Sequence, residues 1–391
     1  LQRDPPQRQQ PVLHLRPSPR PAASTTWTTT FRSDRFAQMG SPTRGPRHGF
    51  FYAPKDAPDM PDSRFVSSLQ HLNFAWFAMV MGLCGLSLAW MRAAPHEALA
   101  VHISAAVGVL AALVLAALLL CTLWRVVCWP AAVLDDVRHP MRHVFVAALP
   151  SSLVLIATVA TAHGLISPWV EGLWMLGSAT LLLVTVSVVQ RWFQPGLTAA
   201  NFWSVMTPAL FIPVVGNVLP ALAGVSLGHP VWAAAQYGIA AVLWPVALAL
   251  VLVRIGTVGM WPQRLLPTTF ITMAPPSVLA LSGVQLGAPE VLVHMLWGVT
   301  VLFTLVSMTV FRRSLSQAFG IPFWGMSFPL AASAALSLHL APAQGWVQAL
   351  ALAWLVFATS VIAGLLMATV RGLLQGRLLV PEAPQPAPAL P

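Results

Sequence analysis

Charge is what this sequence has least of. Only 8% of its 391 residues are Asp, Glu, Lys or Arg, while 57% are hydrophobic, and the mean hydropathy is +0.73. Soluble globular domains carry roughly 25% charged residues. The composition therefore excludes a soluble globular protein and indicates a polytopic membrane protein.

Ionisable groups are also missing from the middle of every apolar stretch, where no Asp, Glu, Lys or Arg occurs. Such groups usually mark ion coupling or proton relays in membranes, so their absence argues against a proton-coupled pump. Four histidines lie near the ends of stretches, where interfacial hydrogen bonding is the favoured role: His102, His163, His294 and His339.

Cysteine is scarce as well, and the three residues Cys84, Cys121 and Cys128 show no metal-binding spacing. They are interpreted as small packing residues. His139 and His143 are four residues apart, but Pro140 lies between them, so a metal site is not predicted there.

One enzymatic motif occurs, GVSLG at residues 224–228, which matches the Gly-x-Ser-x-Gly nucleophile elbow. That motif requires a strand, a sharp turn and a helix, whereas this copy links two apolar stretches. Chance is the favoured interpretation. The sequence therefore predicts no enzyme, no cofactor, no metal and no nucleic-acid partner.

What the sequence has in abundance is apolar stretches long enough to cross a bilayer, which takes roughly 20 residues per helix. Ten are predicted, near 68–91, 97–124, 143–163, 169–190, 204–224, 231–254, 268–286, 290–311, 322–340 and 345–370. Arginine is concentrated after the even-numbered stretches, and the opposite loops carry only Arg92. Because positive charge marks the cytoplasmic side, both termini are predicted to be cytoplasmic, in a bacterial inner membrane.

Proline and arginine divide the ten stretches into five helical hairpins. Each even stretch follows a proline and ends at an arginine, as suits a helix start and a helix end at the cytoplasmic surface. Odd stretches contain seven internal prolines: Pro150, Pro208, Pro213, Pro220, Pro275, Pro276 and Pro329. Even stretches contain only Pro245. Broken helices belong where protein or water satisfies the freed backbone, so we expect an inner ring of odd helices around a central pore.

The flanking segments differ from this core. Residues 1–67 hold ten of the 21 Lys and Arg and eleven prolines, which predicts a disordered basic tail, and residues 372–391 are predicted to be a second Pro-rich tail. The chain begins with Leu1, which indicates either a fragment or a tail that is partly non-native, and in the second case Met39 and Met60 are candidate starting residues. The membrane domain is expected to span 68–371.

The pore is expected to be lined by small residues, hydroxyls and backbone ends at helix breaks. Arg142 and His143, at the cytoplasmic end of the third stretch, are expected to attract anions. A pore with a basic mouth and no fixed negative charge suits small anions.

Four segments resemble the tellurite-resistance/dicarboxylate transporter family, which includes the slow-type anion channels: HPMRHVFVA (139–147), FIPVVGNVLPALAG (211–224), LLPTTFITMAPPSVLAL (265–281) and FWGMSFPLAAS (323–333). The resemblance covers about 68–371 and looks closest to the bacterial tellurite-resistance branch. It implies ten helices in five hairpins, a homotrimer with one pore per subunit, and a phenylalanine plug at the position of Phe328.

The leading hypothesis is thus an anion channel that passes chloride or nitrate and is gated by Phe328. The alternative is a secondary transporter or exporter of dicarboxylate, sulfite or tellurite-type oxyanions. The predicted pore-lining residues, besides Phe328, are Gly82, Pro150, Pro213, Gly216, Pro275 and Pro329.

Overall fold

The computed structural model describes residues 68–95, 97–193, 198, 202–203, 205–342 and 344–380, and no strand occurs among them. Nine helices in these ranges are long and apolar enough to cross a bilayer, and a tenth apolar helix is shorter. We label them in chain order as α1 Phe74–Ala93, α2 Ala100–Cys128, α3 His143–Ala162, α4 Pro168–Phe193, α5 Pro208–Gly224, α6 Pro230–Val258, α7 Gln263–Gln285, α8 Glu290–Leu315, α9 Ile321–Leu340 and α10 Trp346–Leu374. The prediction of an all-α membrane protein is confirmed.

The two predicted tails fall largely outside this description. Residues 1–67 and 381–391 are not among the described residues. Helix α10 ends at Leu374, three residues beyond the predicted end of the membrane domain at 371.

Burial separates the odd from the even helices. In the most apolar segment of each long odd helix, 67% to 94% of the residues are buried, compared with 17% to 33% in the even helices. The exposed residues of the even helices are leucines and valines, such as Leu120, Leu183 and Leu305, which suit contact with lipid chains. The even helices therefore form the outside of the bundle.

The odd helices close into a ring. Helix α1 contacts α3 and α9, α5 contacts α3 and α7, and α7 contacts α9. Each odd helix also packs against the even helix that follows it. The packing therefore places the odd helices inside and pairs each of them with the following even helix, as predicted.

Only some of the even helices begin at the proline that precedes each even stretch of the sequence. Helices α4 and α6 begin at Pro168 and Pro230, and Pro289 directly precedes the first residue of α8. The fixed φ of proline suits a first helical turn, where its missing N–H costs nothing. Helices α2 and α10 begin later, at Ala100 and Trp346.

Every odd helix begins with a 3₁₀ segment rather than an α-helical turn. These segments are Phe74–Phe77, His143–Ala147, Pro208–Leu210, Gln263–Met273 and Ile321–Met326. A 3₁₀ helix has 3.0 residues per turn instead of 3.6, and runs longer than three or four residues are uncommon. The eleven-residue segment of α7 is therefore a marked departure, and it lies on the arginine-rich side of the membrane.

Helix α5 is the most broken of the ring and is tied to α4 by a buried polar network. The Thr185 hydroxyl lies 2.8 Å from the carbonyl oxygen of Leu181 and 2.6 Å from that of Pro213, which share its one proton, and it accepts from the Asn217 side-chain amide at 2.6 Å. Carbonyls freed by a break need such partners inside a membrane. The network therefore stabilises the interrupted course of α5.

We expect Thr185→Val to lower the free energy of unfolding by about 1–3 kcal/mol, because it keeps the shape but leaves buried polar groups without partners. The measurement is denaturation in mixed micelles. Thr257→Val is the matched control, since the exposed Thr257 hydroxyl bonds only to carbonyls of its own helix. Equal losses for the two variants would contradict a structural role for the network.

Candidate functional site

Three cavities follow one another along the axis of the inner ring. We call them the inner cavity, the neck and the outer cavity, starting from the arginine-rich side. The inner cavity, of about 140 Å³, lies among the starts of the odd helices, and the outer cavity, of about 610 Å³, lies among their ends. The neck between them encloses only about 60 Å³. The ring thus contains a path that narrows in the middle.

The neck is apolar, which corrects one expectation. No hydroxyl group lines it in the described part of the chain, and its only polar side-chain atom, Nε1 of Trp324, donates to Thr369 Oγ1 at 2.9 Å. Hydroxyls line the two wider cavities instead, for example Thr158 and Thr268. Many buried hydroxyls bond to backbone carbonyls of their own helix, as Ser152 and Ser277 do, so their presence in the odd helices did not show that they face the path.

Phe328 lies where the neck meets the outer cavity. Among the described residues, only Phe328 and Val278 line both of these cavities. The ring of Phe328 packs against Gly85 of α1: a Cβ atom added to Gly85 would lie 3.0 Å from Cδ2 of Phe328 and 3.2 Å from Cβ of Ala331. The missing side chain of Gly85 thus makes room for the aromatic ring, although the predicted pore-lining residues of the first helix included Gly82 and not Gly85.

The break in α9 lies directly beside the ring. The 3₁₀ segment ends at Met326, the α-helical part begins at Ser327, and Pro329 follows Phe328. In a regular α-helix, the N–H of residue 329 would bond to the carbonyl of Gly325. Gly325 lines both the neck and the inner cavity. The proline has no N–H and therefore cannot make this hydrogen bond, at the level of the neck.

The other predicted lining residues divide into two groups. Gly216, Pro275 and Pro329 line the neck. Gly82, Pro150 and Pro213 face neighbouring helices in the described structure. Gly82 abuts Ser327 of α9, the Pro150 carbonyl abuts Gly177 of α4, and the Pro213 carbonyl accepts from Thr185.

A buried carboxylate organises the basic mouth of the inner cavity. Asp136, on the short helix Pro130–Arg138, contacts Arg125 and Arg142 at 2.7 Å each. The side chains of Asp136 and Arg125 are 1% and 3% exposed, and that of Arg142 is 32% exposed. Arg125 also donates to the carbonyls of Gln70 and Ala132. Arg142 lines the inner cavity, so Asp136 fixes the position of a cation at this mouth.

The second predicted mouth residue has a different position. His143 is buried, and its Nδ1 lies 3.0 Å from the carbonyl of His139. His139 and Arg264 line the inner cavity together with Arg142. The Nδ1 atom of His139 accepts from the backbone N–H groups of Met141 and Arg142. The basic mouth therefore consists of Arg142, Arg264 and His139, and the sequence had indicated only the first of these as a lining residue.

Ser226 of the GVSLG motif lies in the turn between α5 and α6, after a helix rather than a strand. The nucleophile elbow needs a preceding strand. Ser226 lines the outer cavity, but a helix and not a strand precedes it, so it does not have the geometry of a nucleophile elbow.

Charge along the path has one sign. Among the described residues that line the three cavities there is no Asp and no Glu, whereas Arg142 and Arg264 line the inner cavity and Arg92 lines the outer cavity. A low-dielectric passage with cations at both ends concentrates anions and repels cations. Such a distribution can attract an anion from either side.

The contact between Gly85 and Phe328 can be tested by stability. Gly85→Ala should be less stable than Gly364→Ala by about 1–3 kcal/mol, because the new methyl group overpacks the seam between α1 and α9. Gly364 is a matched control, since an added Cβ there meets no atom within 4 Å. Unfolding in mixed micelles measures both.

The same unfolding experiment in the Phe328→Ala background measures how much of this penalty is due to contact with the aromatic ring. The penalty of Gly85→Ala should shrink there by about 1 kcal/mol, the usual scale of coupling between residues in contact. An unchanged penalty would mean that Ala331, and not the ring, limits the space at Gly85.

These features define a class: a multi-pass helical membrane protein with a narrow, apolar path through an inner ring and basic residues at both ends. The SLAC1 family, described as voltage-dependent anion channel, matches residues 71–370. The chain belongs to this family, and the predicted resemblance is confirmed.

Two relatives illustrate the range of the family. The chain is 24% identical over 286 residues to the S-type anion channel SLAH2 of Arabidopsis thaliana, which covers 71% of this chain and 54% of the relative. It is also 24% identical over 266 residues to the tellurite resistance protein TehA homolog of Haemophilus influenzae, which covers 67% of this chain and 79% of the relative. The chain thus spans about half the length of the plant relative, and the plant and bacterial relatives are equally similar by identity.

Proposed function

We propose that this protein is an anion channel that passes small anions such as chloride and nitrate along the axis of each subunit. The observation that carries the proposal is the charge distribution along the path: cations line both ends, and no carboxylate lines any of the three cavities in the described residues. The name of the plant relative, an S-type anion channel, points the same way.

The ring of Phe328 is the gate in this proposal. A narrow apolar constriction closes a pore by excluding water and ions, and Phe328 stands at the end of the neck, where the path widens. Gly85 provides the seat for the ring in the closed state, and the helix that carries the ring changes from 3₁₀ to α-helical geometry at Ser327, one residue before it. Displacement of the ring toward the outer cavity would join the two spaces.

A second candidate function is secondary transport or export of oxyanions, which the name of the bacterial relative, a tellurite resistance protein homolog, keeps open. Coupling to protons usually requires an ionisable group within the membrane. The neck has none among its described lining residues. This favours the channel over the coupled transporter.

Chloride flux from proteoliposomes that contain Phe328→Ala, in which the proposed gate is removed, separates the two functions. A channel should release chloride under a membrane potential alone, at a rate that an imposed pH gradient leaves unchanged. Flux that requires the pH gradient would support the transporter. Protein-free liposomes set the background leak.

We further propose a homotrimer in the bacterial inner membrane, with residues 68–371 as the channel domain and both termini in the cytoplasm. The orientation rests on the arginines of the inner side. Cross-linking in the native membrane tests the assembly, and labelling of single cysteines near each terminus tests the orientation.

A further inference from the structure

The inner end of the neck, where the path meets the inner cavity, is also formed by apolar residues. Four residues line both spaces within the described part of the chain, one from each of four inner helices: Ala78, Ile212, Ile271 and Gly325. We call these four residues the inner collar. None of them carries a polar side-chain atom. The neck is therefore bounded by the inner collar at one end and by Phe328 at the other.

The long 3₁₀ start of α7 brings Ile271 to the collar. Side chains three residues apart lie above one another in a 3₁₀ helix, which has 3.0 residues per turn. Within the segment Gln263–Met273, every third residue from Leu265 onward lines the inner cavity, namely Leu265, Thr268 and Ile271. Ala274 continues this series into the neck. The length of the 3₁₀ segment thus keeps one face of α7 on the path as far as the neck.

Helix α9 follows the same spacing on the other side of the path. Pro322 lines the inner cavity, Gly325 lines the inner cavity and the neck, and Phe328 lines the neck and the outer cavity. Gly325 and Phe328 are three residues apart, which is about 5–6 Å along a helix axis. The two ends of the neck are therefore separated by about one helical turn.

A glycine faces a bulky apolar side chain at each end of the neck. A Cβ atom added to Gly325 of α9 would lie 3.4 Å from Cδ1 and 3.5 Å from Cγ1 of Ile271. At the outer end, Gly85 of α1 makes the corresponding space for the ring of Phe328. Both ends thus have the same construction, a large hydrocarbon side chain that packs over a glycine of the neighbouring helix.

We propose that the inner collar is a second gate, in which Ile212 and Ile271 exclude water from the neck even when Phe328 is displaced. This inference rests on the proposed function, because it concerns the same anion path. A narrow apolar constriction excludes water and ions, and the neck encloses only about 60 Å³. An anion that enters from the basic inner mouth meets the collar before it meets the ring. The path therefore has two apolar barriers in series.

A pair of variants of similar shape and different polarity tests the collar in the Phe328→Ala background, which removes the outer barrier. Valine and threonine differ only by a hydroxyl in place of a methyl group. The hydroxyl should let water into the collar. In planar bilayers, Ile271→Thr should therefore carry about tenfold more chloride current than Ile271→Val, which corresponds to about 1.4 kcal/mol of barrier.

Ile212→Thr and Ile212→Val should differ in the same direction. Ile212 is only partly buried, so this pair decides the question if Ile271→Thr does not fold, which thermal unfolding in detergent shows. Equal currents of the folded Thr and Val variants would overturn the second gate.

Two controls separate the collar from a general effect of changing a buried side chain. Ile362 is a buried residue of the outer helix α10 that is not among the described residues lining the three cavities. Ile362→Thr and Ile362→Val should carry equal currents in the same background. Gly325→Ala adds a methyl group beside Ile271 and should lower the current at least about threefold, whereas Gly364→Ala, at an open position, should not.

Osmotic water permeability of proteoliposomes, measured by stopped-flow light scattering, separates this inference from the proposed function. Chloride current through Phe328→Ala, together with equal water permeabilities of the Thr and Val variants, refutes the collar and leaves the channel intact. Higher water permeability of the Thr variants, without chloride current in any variant, supports the collar and refutes anion conduction. Equal water permeabilities without any current refute both.

Discussion

Phe328→Ala should raise the anion conductance on the order of 100-fold, which corresponds to a barrier lowered by about 3 kcal/mol. The ring lies at the junction of the neck and the outer cavity. Its removal joins a space of about 60 Å³ to one of about 610 Å³, and a wider neck admits water. Single-channel or macroscopic current in planar bilayers measures the change.

Two controls distinguish gating from a general effect of losing an aromatic residue. Phe328→Leu keeps much of the apolar volume, so its conductance should lie between wild type and Phe328→Ala. Phe303→Ala removes a ring from the outer helix α8, away from the three cavities, and should leave the conductance unchanged. A Phe328→Ala protein that is folded and as silent as wild type would remove Phe328 from the gate.

Asp136→Asn should destabilise the protein by about 3–5 kcal/mol, the range observed when one member of a buried ion pair is removed. The carboxylate of Asp136 lies 2.7 Å from the guanidinium of Arg125 and 2.7 Å from that of Arg142. The neutral amide leaves Arg125 buried without its counter-charge. Arg142 also loses the group that holds it at the mouth of the inner cavity, so the conductance of the Phe328→Ala background should change as well.

Asp135→Asn is the matched control for this prediction. It makes the same chemical change one residue earlier on the same short helix, but Asp135 is exposed, and surface changes of this kind usually stay within about 0.5 kcal/mol. Thermal unfolding of both variants in the same detergent gives the comparison. If the two variants unfold at the same temperature, the buried pair does not anchor the inner mouth.

The division into inner and outer helices was accessible from the sequence because it depends on composition. Proline breaks and few lipid-facing leucines mark helices that must be covered, while continuous Leu- and Val-rich helices can face lipid. Pro329 and Phe328 were identified together, since the break and the ring are adjacent in the chain. The resemblance to a known family, rather than the break itself, assigned the ring its role.

The sequence could not show which individual residues point toward the path. A proline marks the position of a helix break, but it does not indicate which side of the helix lines the path. The 3₁₀ starts of the odd helices advance by 3.0 residues per turn, which shifts the phase of everything that follows. In the structure, Gly216 and Pro275 line the neck, whereas Pro150 and Pro213 contact helix α4 instead.

Long-range partners were likewise out of reach of the sequence. Arg125 and Asp136 are eleven residues apart in the chain. Nothing in the local sequence indicates that the Asp136 side chain is buried against Arg125. Arg92 and His339 belong to the first and ninth helices and line one cavity only because α1 packs against α9. Gly85 faces Phe328 for the same reason.

The most direct test of the central claim is the reversal potential of Phe328→Ala in a planar bilayer under a gradient of potassium chloride, in which either ion could carry the current. The charge distribution of the path predicts a current that reverses at the chloride equilibrium potential and persists when nitrate replaces chloride. A current that reverses at the cation equilibrium potential, or follows an imposed proton gradient, would contradict an anion-selective passive path.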